Sequence, residues 1–147
     1  MHRLANGRVY YFSPPAPAAA LATWAQARDY CTTHGMHLVI LDTARENQLV
    51  LAQATALLMA NGAGPGAWIG LRDISLLDFR WLLRDTRPAF IAFSAMPAGG
   101  GLCVNYLATA ATSAAASWTT TACGGGPLAF ICEMELPCSA VAPAINV

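Results

Sequence analysis

The side chains of this sequence best equipped for chemistry carry sulfur, imidazole or hydroxyl groups. Cys31, His34 and His37 follow one another at intervals of three, a spacing that invites a metal ion. Cys31 and His34 can share a helical face, but Gly35 stops a helix before His37, so the three need not converge on one centre. Two Gly-Gly-Gly runs, at 99–101 and 124–126, lack the Gly-Lys-Ser/Thr that a phosphate cradle requires. All eight basic side chains are Arg, which excludes Schiff-base and Walker-type lysine mechanisms. No Gly-x-Ser-x-Gly nucleophile elbow occurs, and the scattered His, Ser and Asp residues define no triad. The reading is therefore a chain that is not an enzyme and that needs neither cofactor nor metal.

Cysteines stand at 31, 103, 123, 132 and 138. In an oxidising compartment they would be bridges, and in the cytosol buried thiols or metal ligands. The absence of any Cys-x-x-Cys pair weakens zinc-ribbon and thioredoxin-like readings. At 147 residues the chain fits one domain. Its 56% hydrophobic content excludes disorder, and its 11% charged content is well below the roughly 25% of ordinary domains. Eight acidic residues cancel the eight arginines, with a pI near 6.8, so no electrostatic footprint for nucleic acid or an acidic membrane exists. No unbroken apolar run is long enough for a membrane-spanning helix. Met1 to Phe12 shows no apolar core of a signal peptide.

The elements follow from local pattern. Val9-Tyr10-Tyr11-Phe12, closed by Ser13-Pro14-Pro15, reads as a strand. Thr23 caps a helix that places Trp24, Ala27, Arg28 and Cys31 at helical spacing, with Gly35 as its stop. His37 to Leu41 reads as a strand, and Thr43-Ala44-Arg45-Glu46 as a capping box opening a helix through about Met59. Beyond residue 67 the style changes to short strands separated by loops: Trp68 to Leu71, Phe79 to Trp81, Cys103 to Leu107, Ser117 to Thr120 and Leu128 to Glu133. The plan is α+β.

This order of residues resembles the C-type lectin-like domain. Trp24-Ala25-Gln26-Ala27-Arg28-Asp29-Tyr30-Cys31, Gly35, Leu38, Leu41, Glu46-Asn47 and Trp68-Ile69-Gly70-Leu71 carry the likeness through the first half. Phe79-Arg80-Trp81, Pro88, Cys103, Trp118, Cys123 and Phe130-Ile131-Cys132-Glu133 carry it through the second. The expected division is an N-terminal extension over 1–8, the domain over 9–135 and a C-terminal tail over 136–147. The resemblance implies two helices, small antiparallel sheets, a long loop region and two disulfides, Cys31–Cys132 and Cys103–Cys123. Bridges closing loops of about 100 and about 20 residues would remove roughly 4.7 and roughly 3 kcal/mol of unfolded-chain entropy. Cys138, left over just past the domain, is a candidate for an interchain bridge in a linked dimer.

Sugar-binding members of that family hold vicinal hydroxyls through Ca²⁺, using Glu-Pro-Asn or Gln-Pro-Asp in the long loop, a further Glu, and Asn-Asp after a Trp. Here those positions read Met96-Pro97-Ala98, about Gly101, and Thr119-Thr120, although Pro97 keeps the place of the family's cis-proline turn. The sequence makes the same point without alignment: between Asp85 and Glu133 there is no Asp or Glu. A hard cation that wants 6–8 oxygens, several of them anionic, finds no tight site there. Asp73, Asp78 and Asp85 offer at most a weak one.

Where relatives place their ligands, from about Pro88 to Ala122, this chain offers Phe90, Phe93, Met96, Asn105, Tyr106, Thr119 and Thr120, with Arg87 just before that loop. Such an uncharged surface suits a dry protein contact better than a sugar, while Phe90, Phe93 and Met96 equally suit the loop's own small core. Trp24, Trp68, Trp81 and Trp118 are expected in the core. The expected function is calcium-independent extracellular recognition of a protein partner or of further copies of itself, on a secreted or cell-surface protein. The alternative is a lectin that contacts glycans directly through Asn105, Arg87 and the loop hydroxyls. An ice-binding surface built on Thr119-Thr120-Thr121 is a weaker third.

Overall fold

The computed structural model describes residues 1–58, 66–74, 78–83, 85–94, 102–107, 117–125 and 127–134. Eight strands and two α-helices follow in the order β1 (His2–Arg3), β2 (Val9–Phe12), α1 (Trp24–Thr33), β3 (Met36–Leu38), α2 (Ala44–Leu57), β4 (Ala67–Asp73), β5 (Phe79–Trp81), β6 (Leu102–Tyr106), β7 (Trp118–Ala122) and β8 (Ala129–Met134). The sheet runs β1-β2-β8-β4-β6-β7, with β3 added to β8 and β5 to β4. Every pairing is antiparallel except β4 with β8. Residues 2–3 of the N-terminal extension thus join the sheet against β2. The C-terminal tail, Cys138 included, lies outside the described residues, as do Met96 and Pro97. Among the described residues no helix is long and apolar enough to cross a membrane.

Local chemistry explains both helices, with one exchange of roles. At α1 the Thr23 hydroxyl accepts the Gln26 N–H and the Gln26 side-chain Oε1 accepts the Thr23 N–H, a complete capping box. The sequence predicts the box at α2 instead, where only half forms. Thr43 accepts the Glu46 N–H at 3.1 Å, but the Glu46 carboxylate turns away to the Tyr10 hydroxyl and the Asp42 N–H. Helix α1 buries Trp24, Ala27 and Cys31 along one stripe. Gly35, at φ +74°, then supplies the left-handed residue that ends it.

The predicted strand from His37 to Leu41 is shorter in the structure, ending at Leu38. Val39, Ile40 and Leu41 are all buried, so the alternation of a ladder strand is lost. Their backbone is satisfied irregularly: Val39 N–H donates to Ile131 O, and Ile40 N–H to the Glu133 carboxylate at 3.2 Å. A side chain takes the place of a ladder carbonyl, and the strand stops.

Two apolar layers flank the sheet. One, against α2, contains Val50, Ala54, Ile69, Leu71, Trp81, Val104, Tyr106, Trp118 and Ile131. The other, against α1, contains Trp24, Ala27, Leu38, Trp68, Phe130 and the cysteines Cys31, Cys103 and Cys132. All four tryptophans are at most 2% exposed, so none is a ligand platform. The Cys31–Cys132 bridge ties α1 to β8 over 101 residues, and Cys103–Cys123 joins β6 to the end of β7 over 20.

Candidate functional site

The β6–β7 ribbon sorts the candidate residues. Directly opposed residues of an antiparallel pair lie on the same face, and successive residues alternate. Asn105 opposes Thr119 and Cys103 opposes Thr121, while Val104 opposes Thr120 and Tyr106 opposes Trp118. Asn105, Thr119 and Thr121 therefore share the α1 side, and Thr120 lies on the α2 side with the Trp118 layer. Asn105 is buried and donates from Nδ2 to Thr121 Oγ1 at 2.7 Å, so its amide serves the ribbon. Thr119 and Thr120, adjacent in sequence, cannot serve one surface together through their side chains. Thr121 is the partner that strand alternation would have supplied for Asn105.

On the other face a buried amide does the positioning. Asn47 of α2 is fully buried and its Oδ1 accepts both the Tyr106 hydroxyl at 2.6 Å and the Trp118 indole N–H at 3.1 Å. Its Nδ2 donates to Ser117 Oγ at 3.3 Å. Burial pushes the Tyr106 phenol well above its ordinary range, which keeps it a neutral donor. Asn47 is part of the matched sequence pattern, yet its role as the anchor of β6 and β7 is visible only once α2 is laid on the sheet.

Segment 92–94 closes over this end. Trp118 N–H donates to Ala92 O at 2.8 Å, and Ser94 N–H to Trp118 O at 2.9 Å. Phe90 and Phe93 meet the Trp118 ring edge-on at 5.7 and 5.6 Å, and Phe93 also lies 5.0 Å from Phe79. Both phenylalanines are half-buried against the core, which is the packing role their apolar character allowed. Between them Ile91 is 59% exposed. Arg87 is not gathered with Asn105: its exposed guanidinium pairs with Asp78 at 3.3 Å, and Arg80 pairs with the same carboxylate at 3.0 Å. The two guanidiniums, Arg80 first, hold the Asp78 carboxyl below its usual range.

A second polar cluster lies under the N-terminal strands. Glu133 is 1% exposed and accepts from Arg8 at 2.6 Å, while the Tyr10 hydroxyl donates to Glu46 at 2.6 Å. Burial, and then the neighbouring Glu46, raise the Glu133 carboxyl above the ordinary glutamate range, against the lowering influence of Arg8, the Ile40 N–H and His37. Burial and Glu46 likewise push the Tyr10 phenol far up. Of the residues at intervals of three, Cys31 is bridged, and His34 and His37 bond through Nδ1 to the carbonyls of Tyr30 and Leu38. No group of three metal-ligating side chains comes together among the described residues.

The sheet is thus stapled by two disulfides, with one helix on each face and segment 92–94 closed over Trp118. The family model for the lectin C-type domain matches residues 20–134, and the chain belongs to that family of binding domains. It is 33% identical over 89 residues to human C-type lectin domain family 17, member A, a match covering 60% of this chain and 20% of that protein. The chain thus spans about a fifth of the length of that relative. Among solved structures it is similar to the mouse scavenger receptor C-type lectin carbohydrate-recognition domain, at 22% identity, TM-score 0.67, covering 88% of this chain and 92% of that one. It is also similar to the Ca²⁺-independent C-type lectin SPL-2 from Saxidomus purpuratus, at 19% identity, TM-score 0.65 and 86% of each chain.

Proposed function

We propose that this domain is a calcium-independent extracellular recognition module whose partner is a protein, further copies of itself included. The observation that carries the reading is the absence of any carboxylate between Asp85 and Glu133, the stretch that supplies β6, β7 and the segment closed over Trp118. Apart from Arg87, which pairs with Asp78, the polar side chains there are neutral, and Asn105 already donates from its amide to Thr121. A sugar needs several directed polar groups, whereas a dry protein contact tolerates a neutral surface with an exposed Ile91. Two disulfides suit an oxidising, extracellular setting.

A second reading, direct glycan binding without calcium, is favoured by the description of the Saxidomus relative as a Ca²⁺-independent lectin. A glycan array run with and without chelator, beside size-exclusion chromatography with light scattering over a concentration series, separates the two. The protein-partner reading expects a blank array, and a mass that rises with concentration would identify that partner as further copies of the chain. Chelator-resistant glycan signals with a constant monomer mass would establish the second reading, and chelator-sensitive signals would overturn both.

A further inference from the structure

Two guanidinium groups converge on one buried indole. Trp24, 2% exposed, is locked by donation of its Nε1–H to Ile69 O at 2.9 Å. Arg28, on the next turn of α1, places its guanidinium carbon 5.8 Å from the ring centroid, and Arg72 of β4 places its own at 5.4 Å. The two cationic centres therefore lie at most about 11 Å apart. Arg28 shares its charge with the exposed carboxylate of Asp29 at 3.0 Å.

Arg72 is different. Among the described residues its guanidinium has no carboxylate partner and no hydrogen-bond acceptor, and it lies over the face of Trp24. Arg8 and Arg80, also partly buried, are both paired with acids. A half-buried guanidinium carries five donors, and here it lies over the face of the indole. Arg72 lines a pocket of about 340 Å³ with Asp73, Ile74 and Cys123. The Asp73 carboxylate is engaged elsewhere: it is 4% exposed and accepts the Asp78 N–H at 3.0 Å. The pocket lies on the α1 side, since Arg72 opposes Cys103 in the β4–β6 register.

We propose that this pocket binds a tetrahedral oxyanion, a sulfate or phosphate monoester group borne by a ligand. The guanidinium fork presents paired N–H donors to two oxygens of such a group. Contact with the Trp24 ring restricts the side chain before binding, so less ordering remains to be done. Arg28 adds a second positive charge at the same ring, and the pocket volume falls within the roughly 300–1,000 Å³ of small-ligand sites. The site uses no metal and none of the residues that close over Trp118, so it stands whichever partner the β6–β7 end recognises.

The test uses the folded, oxidised protein with ¹⁵N-labelled arginine and tryptophan side chains. Sodium sulfate, sodium phosphate and sodium acetate are titrated separately at ionic strength held constant with chloride. The Nε–H signal of Arg72 and the indole signal of Trp24 should shift saturably with sulfate or phosphate. Whichever anion binds tighter identifies the ester class. Arg72→Gln should weaken that response by about tenfold or more, Arg72→Lys should weaken it less, and Arg45→Gln, an exposed arginine of α2, should leave it unchanged. Absence of saturation up to tens of millimolar anion would overturn the proposal, as would an equal response in a folded Arg72→Gln protein or an equally strong response to acetate.

Discussion

Trp118 and Asn47, 71 residues apart, share a hydrogen bond of 3.1 Å at a point where both are fully buried. The same amide oxygen accepts from Tyr106, so one side chain of α2 fixes the last two residues of the β6–β7 ribbon at the site. The end of the domain proposed to carry the recognition surface is thus held from beneath by a single polar group inside an apolar layer.

Replacing that group has a calculable consequence. Asn47→Ala leaves the Tyr106 hydroxyl and the Trp118 indole N–H buried without their acceptor, each costing about 1–3 kcal/mol. The expected loss is about 2–6 kcal/mol in urea denaturation, with the far-UV spectrum retained at low temperature. Thr119→Ala, on the opposite face, should change stability by less than about 0.5 kcal/mol. Equal effects of the two substitutions would refute the anchoring role of Asn47.

Sulfur makes a separate prediction. Four of the five cysteines are paired, so unfolding without reductant followed by a maleimide reagent should label at most one thiol, that of Cys138. Cys31→Ala/Cys132→Ala should be the more damaging double replacement, because its loop is the longer: roughly 4.7 against roughly 3 kcal/mol on the chain-entropy account. Thermal scans of the two double variants under oxidising conditions measure the difference. A larger fall for Cys103→Ala/Cys123→Ala would show that the shorter bridge acts mainly by holding the β7 end in place.

Glu133 predicts a pH dependence of definite sign. Burial and Glu46 raise its carboxyl above the 4.5 of a free glutamate, so the folded chain keeps a proton that the unfolded chain has lost. Its stabilising contribution is complete below pH 4.5 and is lost as pH rises through the higher folded value. The slope of this single group is at most about 1.4 kcal/mol per pH unit. Denaturant midpoints of the native chain, compared with Glu133→Gln between pH 4 and 7, should show the native chain losing ground as pH rises. A difference that grows in favour of the native chain toward neutrality would reverse the assignment and make the Arg8 ion pair dominant.

The parts of the fold that were legible in sequence are those governed by local rules. Thr23, Gly35 and the Trp24–Ala27–Cys31 stripe act within a few residues of one another, and they mark α1 correctly. What escaped depends on distant partners. Glu46 looks like a cap until Tyr10 of β2 offers a hydroxyl, and Val39 to Leu41 look like strand until Glu133 takes their backbone bond. At the site, Phe90 and Phe93 were recognised as apolar, but only the position of Trp118 decides that they face inward. Arg72 carried no signal in sequence, since its isolation from carboxylates is a property of the folded surface.

Gly70 tests how closely the two layers are joined. A Cβ at this position would stand 2.8 Å from Leu38 O and 3.0 Å from Val39 O. Gly70 also donates to Val39 O at 2.9 Å and accepts from Leu82 N–H at 2.8 Å, so the offending atoms are backbone and cannot swing aside. Gly70→Ala should cost about 1–3 kcal/mol by overpacking. A neutral substitution, measured by urea midpoint, would mean that β3 and β4 can separate without loss.

Calcium provides the last prediction. The carboxylates that offer a weak site are Asp73, Asp78 and Asp85, and their chemistry is already committed or dispersed. Asp73 is buried and accepts the Asp78 N–H, Asp78 neutralises Arg80 and Arg87, and Asp85 is exposed beside Arg80. Drawing Ca²⁺ to Asp78 would require displacing two guanidiniums from the anion they hold below its usual pKa range. Neutral carbonyls and hydroxyls elsewhere on the β6–β7 end bind a hard dication poorly. Calorimetric titration with millimolar Ca²⁺ should therefore give no tight isotherm, and chelator should leave the melting temperature unchanged. Micromolar binding would show that carboxylates outside this stretch reach the site, and the calcium-independent reading would fall.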